Sequence, residues 1–283
     1  MYEQFFGLDE APFTLTPDTR YFVPARGHAE AREMLRVALH NREGFIKVVG
    51  EVGTGKTLLC RCLLNELGDG WVTAYIHNPG FSPAGLYRTV LEELGVVCRG
   101  VLASHSLLKR LDTVLLDLAA RGARVVVLID EAQAMPDETL EALRLLTNLE
   151  TETSKLLQVV LLGQPELDRR LGQDHLRQLG QRITFAERLR ALSCAETAVY
   201  VEHRLRVAGR REPSPFSAAA IRALHHASRG IPRLINILAH KALLVAYGKG
   251  LARIEARFVM RVVRDTEAAA SLPVYWPLLS GWG

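Results

Sequence analysis

The stretch Gly50-Glu51-Val52-Gly53-Thr54-Gly55-Lys56-Thr57 constrains this chain more than any other. It matches G-x-x-x-x-G-K-[ST] in full, and its flanks have the form that motif requires. The run Phe45-Ile46-Lys47-Val48-Val49 before it predicts a buried strand. After it, Leu58, Leu59, Leu63, Leu64 and Leu67 recur at helical spacing. A strand that turns through glycines into a helix aims main-chain N–H groups and the positive helix end at one point, which suits a phosphate. Gly50, Glu51, Val52, Gly53, Thr54, Gly55, Lys56, Thr57 and Leu58 are therefore candidate nucleotide-binding residues. Lys56 would reach the β- and γ-phosphates, and the Thr57 hydroxyl would ligate magnesium.

A second signal lies downstream. Arg124-Val125-Val126-Val127-Leu128-Ile129 reads as a strand buried on both faces, and it ends in the adjacent carboxylates Asp130 and Glu131. Ligands of open α/β sheets bind outside the carboxyl ends of strands, so this pair is expected to face the phosphate loop. Neighbours at a strand end point different ways. Asp130 is expected on the metal, through water, and Glu131 on an attacking water. A further strand, Leu156–Leu162, ends at Gln164, a polar amide within reach of the γ-phosphate or the attacking water.

The rest of the chain fills in around these signals. Residues 2–24 carry aromatics and prolines at irregular spacing, which suggests an extended arm. With the helix His28–Asn41, that arm either packs on the core or forms a wall of an adenine pocket. Trp71–Ile76 reads as a strand. Ser82–Leu94, Ser106–Arg121 and Asp137–Glu152 read as helices, Leu176–Arg182 as a short helix, and Ile183–Leu189 as a fifth strand. Five strands alternating with helices argue an α/β fold with a parallel sheet covered on both sides. Beyond residue 190 the strand signal ends, and helices are expected at Cys194–Ala208, Ser217–Ser228, Pro232–Tyr247 and Arg257–Ala268. The charge changes at the same place. Residues 1–190 carry 22 Lys+Arg against 25 Asp+Glu, while residues 191–283 carry 13 against 6. The expected division is an arm and helix on the core (1–44), the core (45–190), a helical lid (191–268) and a short aromatic tail (269–283) that folds back or docks on a partner.

No apolar run approaches the roughly 18 residues of a membrane span. The acidic, aromatic N-terminus is unlike a secretory signal. Cys60, Cys62, Cys98 and Cys194 are scattered without zinc-site spacing, which fits a reduced, cytoplasmic setting.

Taken together, a phosphate loop at 50–57, carboxylates at 130–131, Gln164 after the next strand, Arg182 before the fifth strand and Gly230-Ile231-Pro232-Arg233 at a helix start resemble an AAA+ ATPase. The segments MYEQFFGLDEAPFTLTPDTRYF, KVVGEVGTGKTLLCRCLLN, LIDEAQAMPDETLEALRLLTNLET, LLGQPEL, LRQLGQRI and GIPRLIN resemble, more narrowly, the secretion ATPases typified by general secretion pathway protein A. That resemblance covers about residues 1–265. It implies sheet order 5-1-4-3-2, ATP and Mg2+ as cofactors, and a homo-oligomeric ring or filament. It also implies Gln164 as a first sensor, Arg182 as a finger acting on a neighbouring subunit's nucleotide, and Arg233 as a contact to the γ-phosphate. Arg177, Arg188 and Arg190 stand close to Arg182 in sequence. The implied partners are inner-membrane assembly proteins of a type IV pilus, of the mannose-sensitive haemagglutinin (MSHA) kind, or of a secretion apparatus. The implied location is the cytoplasm or the periphery of the inner membrane, with no transmembrane segment of the chain's own.

Three other readings share the phosphate loop. The basic C-terminal part is compatible with a DNA-handling ATPase of the transposition-regulator type. A nucleotide switch would bind without hydrolysing. A small-molecule kinase would need a second-substrate pocket, and adjacent Asp130 and Glu131 with a separate lid suit hydrolysis better.

Overall fold

The computed structural model describes residues 1–100, 102–150 and 155–270. The chain divides into two compact units. One comprises Met1–Arg26, Gly53–Gly55 and the described residues from Arg190 onward; the other comprises Gly27–Val52 and Lys56–Leu189.

After α1 (Tyr2–Phe5), which belongs to the first unit, the chain runs α2 (Arg26–His40), β1 (Phe45–Gly50), α3 (Lys56–Glu66), β2 (Trp71–Ile76), α4 (Pro83–Glu93), α5 (Ser104–Ala120) and β3 (Arg124–Ile129). It continues through α6 (Asp137–Leu146), β4 (Leu157–Gly163), α7 (Pro165–Leu171), α8 (Arg177–Gly180) and β5 (Ile183–Leu189). The five strands pair in parallel in the order β2-β3-β4-β1-β5, which is 5-1-4-3-2 seen from the other edge. Central strands must be apolar on both faces, because successive side chains point to opposite sides. Val125, Val127 and Ile129 of β3 and Val159 and Leu161 of β4 pack with α4, α5 and α6 residues in one buried cluster. The intervening Val126, Leu128, Val160 and Leu162 are equally buried on the other face. β5, at the edge, alternates half-buried and exposed positions.

Two expected helices end early. α6 stops at Leu146 rather than Glu152, where the Asn148 and Leu149 N–H groups donate to Leu145 O and Leu146 O, both at 3.1 Å, in tighter i→i−3 turns. Residues 151–154 lie outside the described residues. The last helix, α12, spans Ala256–Arg264. The Thr266 hydroxyl donates to Val262 O at 2.7 Å and Lys241 Nζ donates to Asp265 O at 3.0 Å, so freed carbonyls find partners there. α7 was not foreseen. Pro165 opens it at a position where a missing N–H costs nothing.

The first unit contains α9 (Cys194–Val207), α10 (Ala218–Ser228), α11 (Pro232–Tyr247) and α12. The N-terminal arm, Met1–Arg26, is also part of this unit. Tyr2, Phe6, Leu8, Phe13 and Tyr21 share a buried cluster with Leu205, Phe216, Leu224, Leu238 and Val259. Arg204, itself buried, donates through Nε to Pro12 O at 2.5 Å and stacks its guanidinium over Tyr21 at 4.4 Å. The Tyr2 hydroxyl lies 3.0 Å from His240 Nδ1, and Asp9 N–H donates to Ala208 O at 2.8 Å. The physical reason is size. A few short helices bury too little apolar surface alone, and the arm's aromatics enlarge that core. The tail beyond residue 270 lies outside the described residues.

Candidate active site

The carboxyl ends of β1, β3 and β4 gather the predicted side chains. β1 delivers the loop, whose Gly53 and Gly55 have φ of +80° and +100°, a region that disfavours side chains. Gly53 is constrained twice, since a Cβ there would lie 2.6 Å from Arg233 Cβ. Within the same unit, the Arg233 N–H donates to Gly53 O at 3.2 Å, and the Arg233 side chain is exposed.

Lys56 opens α3 and is buried, with Nζ donating to Gly50 O at 2.7 Å and Glu51 O at 3.1 Å. Burial pushes its pKa down, and the charges of Glu131 and Asp130 partly oppose that. A buried ammonium held only by main-chain carbonyls would gain from an anion, so the residue fits a phosphate.

Asp130 is fully buried at the end of β3. Its Oδ2 accepts from the Thr57 hydroxyl at 2.6 Å and from the Tyr75 hydroxyl at 3.2 Å, and its Oδ1 accepts from the Glu131 N–H at 2.9 Å. A hydroxyl and a carboxylate in contact supply two hard oxygen donors, which fits magnesium completed by phosphate and water. Among the described residues, no three His, Cys, Asp or Glu side chains cluster as an all-protein metal centre.

Glu131 sits in the left-handed region at φ 53°, ψ 37°, a strained backbone for a residue with a side chain. Its Oε2 accepts from Gln164 Nε2 at 3.0 Å and from Gln133 Nε2 at 2.5 Å. Burial raises the carboxyl pKa, but the two amide donors and the Lys56 charge outweigh it and hold the group below its ordinary value. It is therefore ionised at neutral pH and able to accept from water.

Thr57 and Asp130 are thus in direct contact, as are Glu131 and Gln164. Arg182 stands elsewhere. It precedes β5 at the amino edge of the sheet, roughly 20 Å from the carboxyl edge by strand length. There its Nη1 donates to Arg144 O and to Thr147 Oγ1, both at 3.2 Å. It cannot serve the Glu131 of its own chain. Sequence reading missed Tyr75 and Gln133. Tyr75 looked like one more strand aromatic. Gln133, two residues past Glu131 in the 3-10 turn Ala132–Ala134, has only its closeness to Glu131 in sequence as a signal.

An AAA domain family matches residues 39–171. General secretion pathway protein A of Aeromonas hydrophila is 45% identical over 257 residues, covering 90% of this chain and 46% of the relative. The chain thus spans about half the length of that curated relative. Among solved structures, Cdc6p from Pyrobaculum aerophilum gives a TM-score of 0.70 at 18% identity, covering 98% of this chain and 75% of the other. The Aeropyrum pernix ORC2 protein in its ADPNP-ADP complexes gives 0.67 at 17% identity, covering 97% and 75%. At such identities these two speak for the fold alone.

Proposed function

This chain belongs to the general secretion pathway protein A family of AAA+ ATPases, and on that premise we propose that it binds ATP with magnesium and hydrolyses it to ADP and phosphate, driving or regulating assembly of a type IV pilus or secretion apparatus. The observation that carries the reading is the contact geometry at one strand edge: Asp130 bound by Thr57, with ionised Glu131 beside it under two amide donors.

In this proposal Lys56 transfers its hydrogen bonds from the Gly50 and Glu51 carbonyls to the β- and γ-phosphates. Thr57 and Asp130 would hold the magnesium, which when bound would supply positive charge against the phosphate oxygens. Glu131 orients a water in line with the γ-phosphorus. A carboxylate stabilised by two N–H donors is a weak base, so positioning carries more of its contribution than proton storage. Gln164 keeps that carboxylate aligned. Arg182 completes a neighbouring subunit's site in a ring or filament, and Arg233 contacts the γ-phosphate. An MSHA-type pilus is the specific setting we favour, with inner-membrane assembly proteins as partners and the cytoplasmic face as location. Among the described residues, no helix is long and apolar enough to cross a membrane.

The test is phosphate release from Mg-ATP with no added acceptor. The protein should release phosphate, and Lys56→Ala should lose at least ~100-fold of that rate. Normal hydrolysis by Lys56→Ala would sink the assignment, and release only with an added acceptor would make the protein a kinase.

A second reading has one observation in its favour. Arg257, Arg261 and Arg264 are exposed on α12 at helical spacing that puts them on one face. A DNA-handling ATPase would shift duplex DNA at low salt and lose it steeply as salt rises. Intact phosphate release with no shift at any salt removes it.

A further inference from the structure

The single 3-10 turn after Glu131, Ala132–Ala134, carries a side chain to which no role has been given. Gln133 is half-buried and makes three bonds, each to a different part of the catalytic edge. Its Nε2 donates to Glu131 Oε2 at 2.5 Å. Its Oε1 accepts from the Gln164 main-chain N–H at 2.9 Å. Its own carbonyl accepts from Arg170 Nη1 on α7 at 2.6 Å. The other arm of that guanidinium donates to Asp137 Oδ1, and Asp137 Oδ2 lies 2.8 Å from His175 Nε2.

Each bond has a mechanical meaning. The amide has one orientation only: a main-chain N–H needs an acceptor and a carboxylate needs a donor, so Oε1 must face Gln164 and Nε2 must face Glu131. Both amide donors go to Oε2 of Glu131, which leaves Oε1 as the oxygen available to a water. Gln164 is gripped at its main chain by Gln133 while its side chain meets Glu131, so the three residues close a ring of hydrogen bonds between the ends of β3 and β4. A Cβ at Gly163 would meet Leu167 Cδ2 at 2.7 Å first and Gln133 Oε1 at 3.3 Å, so the glycine leaves room chiefly for Leu167 and also for the ring. Glu131 needs such a support because its left-handed backbone is not a conformation it would keep unaided.

We propose that Gln133 is a positioning residue that clamps Glu131 and Gln164 into one unit and presents Oε1 of Glu131 to the attacking water. The catalytic consequence rests on the hydrolysis reading; the clamp does not.

Two substitutions separate its two bonds, and two measurements separate the clamp from the reaction. Gln133→Leu removes both side-chain bonds. Gln133→Glu keeps the acceptor for the Gln164 N–H and replaces the donor to Glu131 by a like charge. Hydrogen exchange of the Gln164 amide, read by NMR on the nucleotide-free chain, should speed up at least ~10-fold in Gln133→Leu and stay slow in Gln133→Glu. The kcat for phosphate release should fall at least ~10-fold in both, with KM within about twofold of the parent and the same melting temperature for Gln133→Glu within a few degrees. Unchanged Gln164 exchange in Gln133→Leu would overturn the clamp. Raised exchange with kcat unchanged, or a loss of kcat matched by a loss of nucleotide affinity, would overturn the positioning role. A parent chain that releases no phosphate, with the exchange pattern intact, would remove the hydrolysis reading and leave the clamp standing.

Discussion

The two edges of the one sheet carry polar side chains of similar kinds in opposite arrangements. At the carboxyl edge, side chains bind each other: Thr57 to Asp130, Gln133 and Gln164 to Glu131. At the amino edge they bind the main chain. Gln158 Nε2, almost wholly buried, donates to Glu43 O at 2.9 Å, and Arg182 donates to Arg144 O. A donor that satisfies a carbonyl staples one segment to another. Glu131, held by neighbouring donors, remains charged and aligned. Lys56 is the exception at the carboxyl edge, since its ammonium rests on carbonyls. A buried cation resting on carbonyls fits the phosphate contact proposed for it. The contrast teaches that the polar inventory of an edge says little about chemistry, while the identity of each partner says much.

Arg182 tests the contrast most severely, because it is an amino-edge residue proposed to act on a neighbour. Arg182→Ala should lower turnover by at least ~10-fold with nucleotide affinity unchanged. Mixing it with Glu131→Gln should restore part of the activity, because each inactive subunit supplies what the other lacks. Phosphate release assayed across mixing ratios checks this, and a strictly additive, inactive mixture would confine Arg182 to its staple. The next largest effect is on folding alone. Gln158→Leu should cost about 1–3 kcal/mol by leaving the Glu43 carbonyl without its donor. Urea melts should show that loss while kcat and KM stay within about twofold.

The smallest effect concerns Asp168 on α7, whose Oδ1 meets Lys47 Nζ at 2.5 Å and whose Oδ2 meets Arg188 Nη2 at 2.8 Å. Burial raises its pKa, but the bonds and charges of Lys47 and Arg188 outweigh that and hold it below its ordinary value. A carboxyl depressed in the folded state stabilises above its unfolded pKa of about 3.9, and that contribution is lost as pH falls through the folded value. Asp168→Asn should therefore destabilise at pH 7 by less than ~1 kcal/mol, because water reaches the pair. The gap to the parent should close on acidification below about pH 4, as melts at both pH values would reveal.

The carboxyl edge was legible because its signals are local. The glycines of the loop, the apolar run into Asp130 and Glu131, and the strand before Gln164 each place a residue at a strand end without reference to the rest of the chain. Sheet order followed from the family resemblance, since strand periodicity says nothing about neighbours. What escaped was non-local. Arm aromatics at irregular spacing cannot reveal that their partners are Leu205 and Leu238, nearly the whole chain away. The end of α6 lies in the tighter turns that Asn148 and Leu149 make back to Leu145 and Leu146. Gln133 escaped because its partner is the N–H of Gln164, just past the end of β4 and 31 residues away.

The most direct test is the fate of bound nucleotide in Glu131→Gln. Parent and variant are incubated with Mg-ATP, freed of unbound nucleotide, and the retained nucleotide is identified. The parent should hold ADP and have released phosphate. The variant should hold ATP with comparable affinity and release phosphate at least ~100-fold more slowly, in an oligomer that sizing detects. A variant that releases phosphate at the parental rate would contradict the role given to Glu131, and with it the reading of this edge as a hydrolysis site.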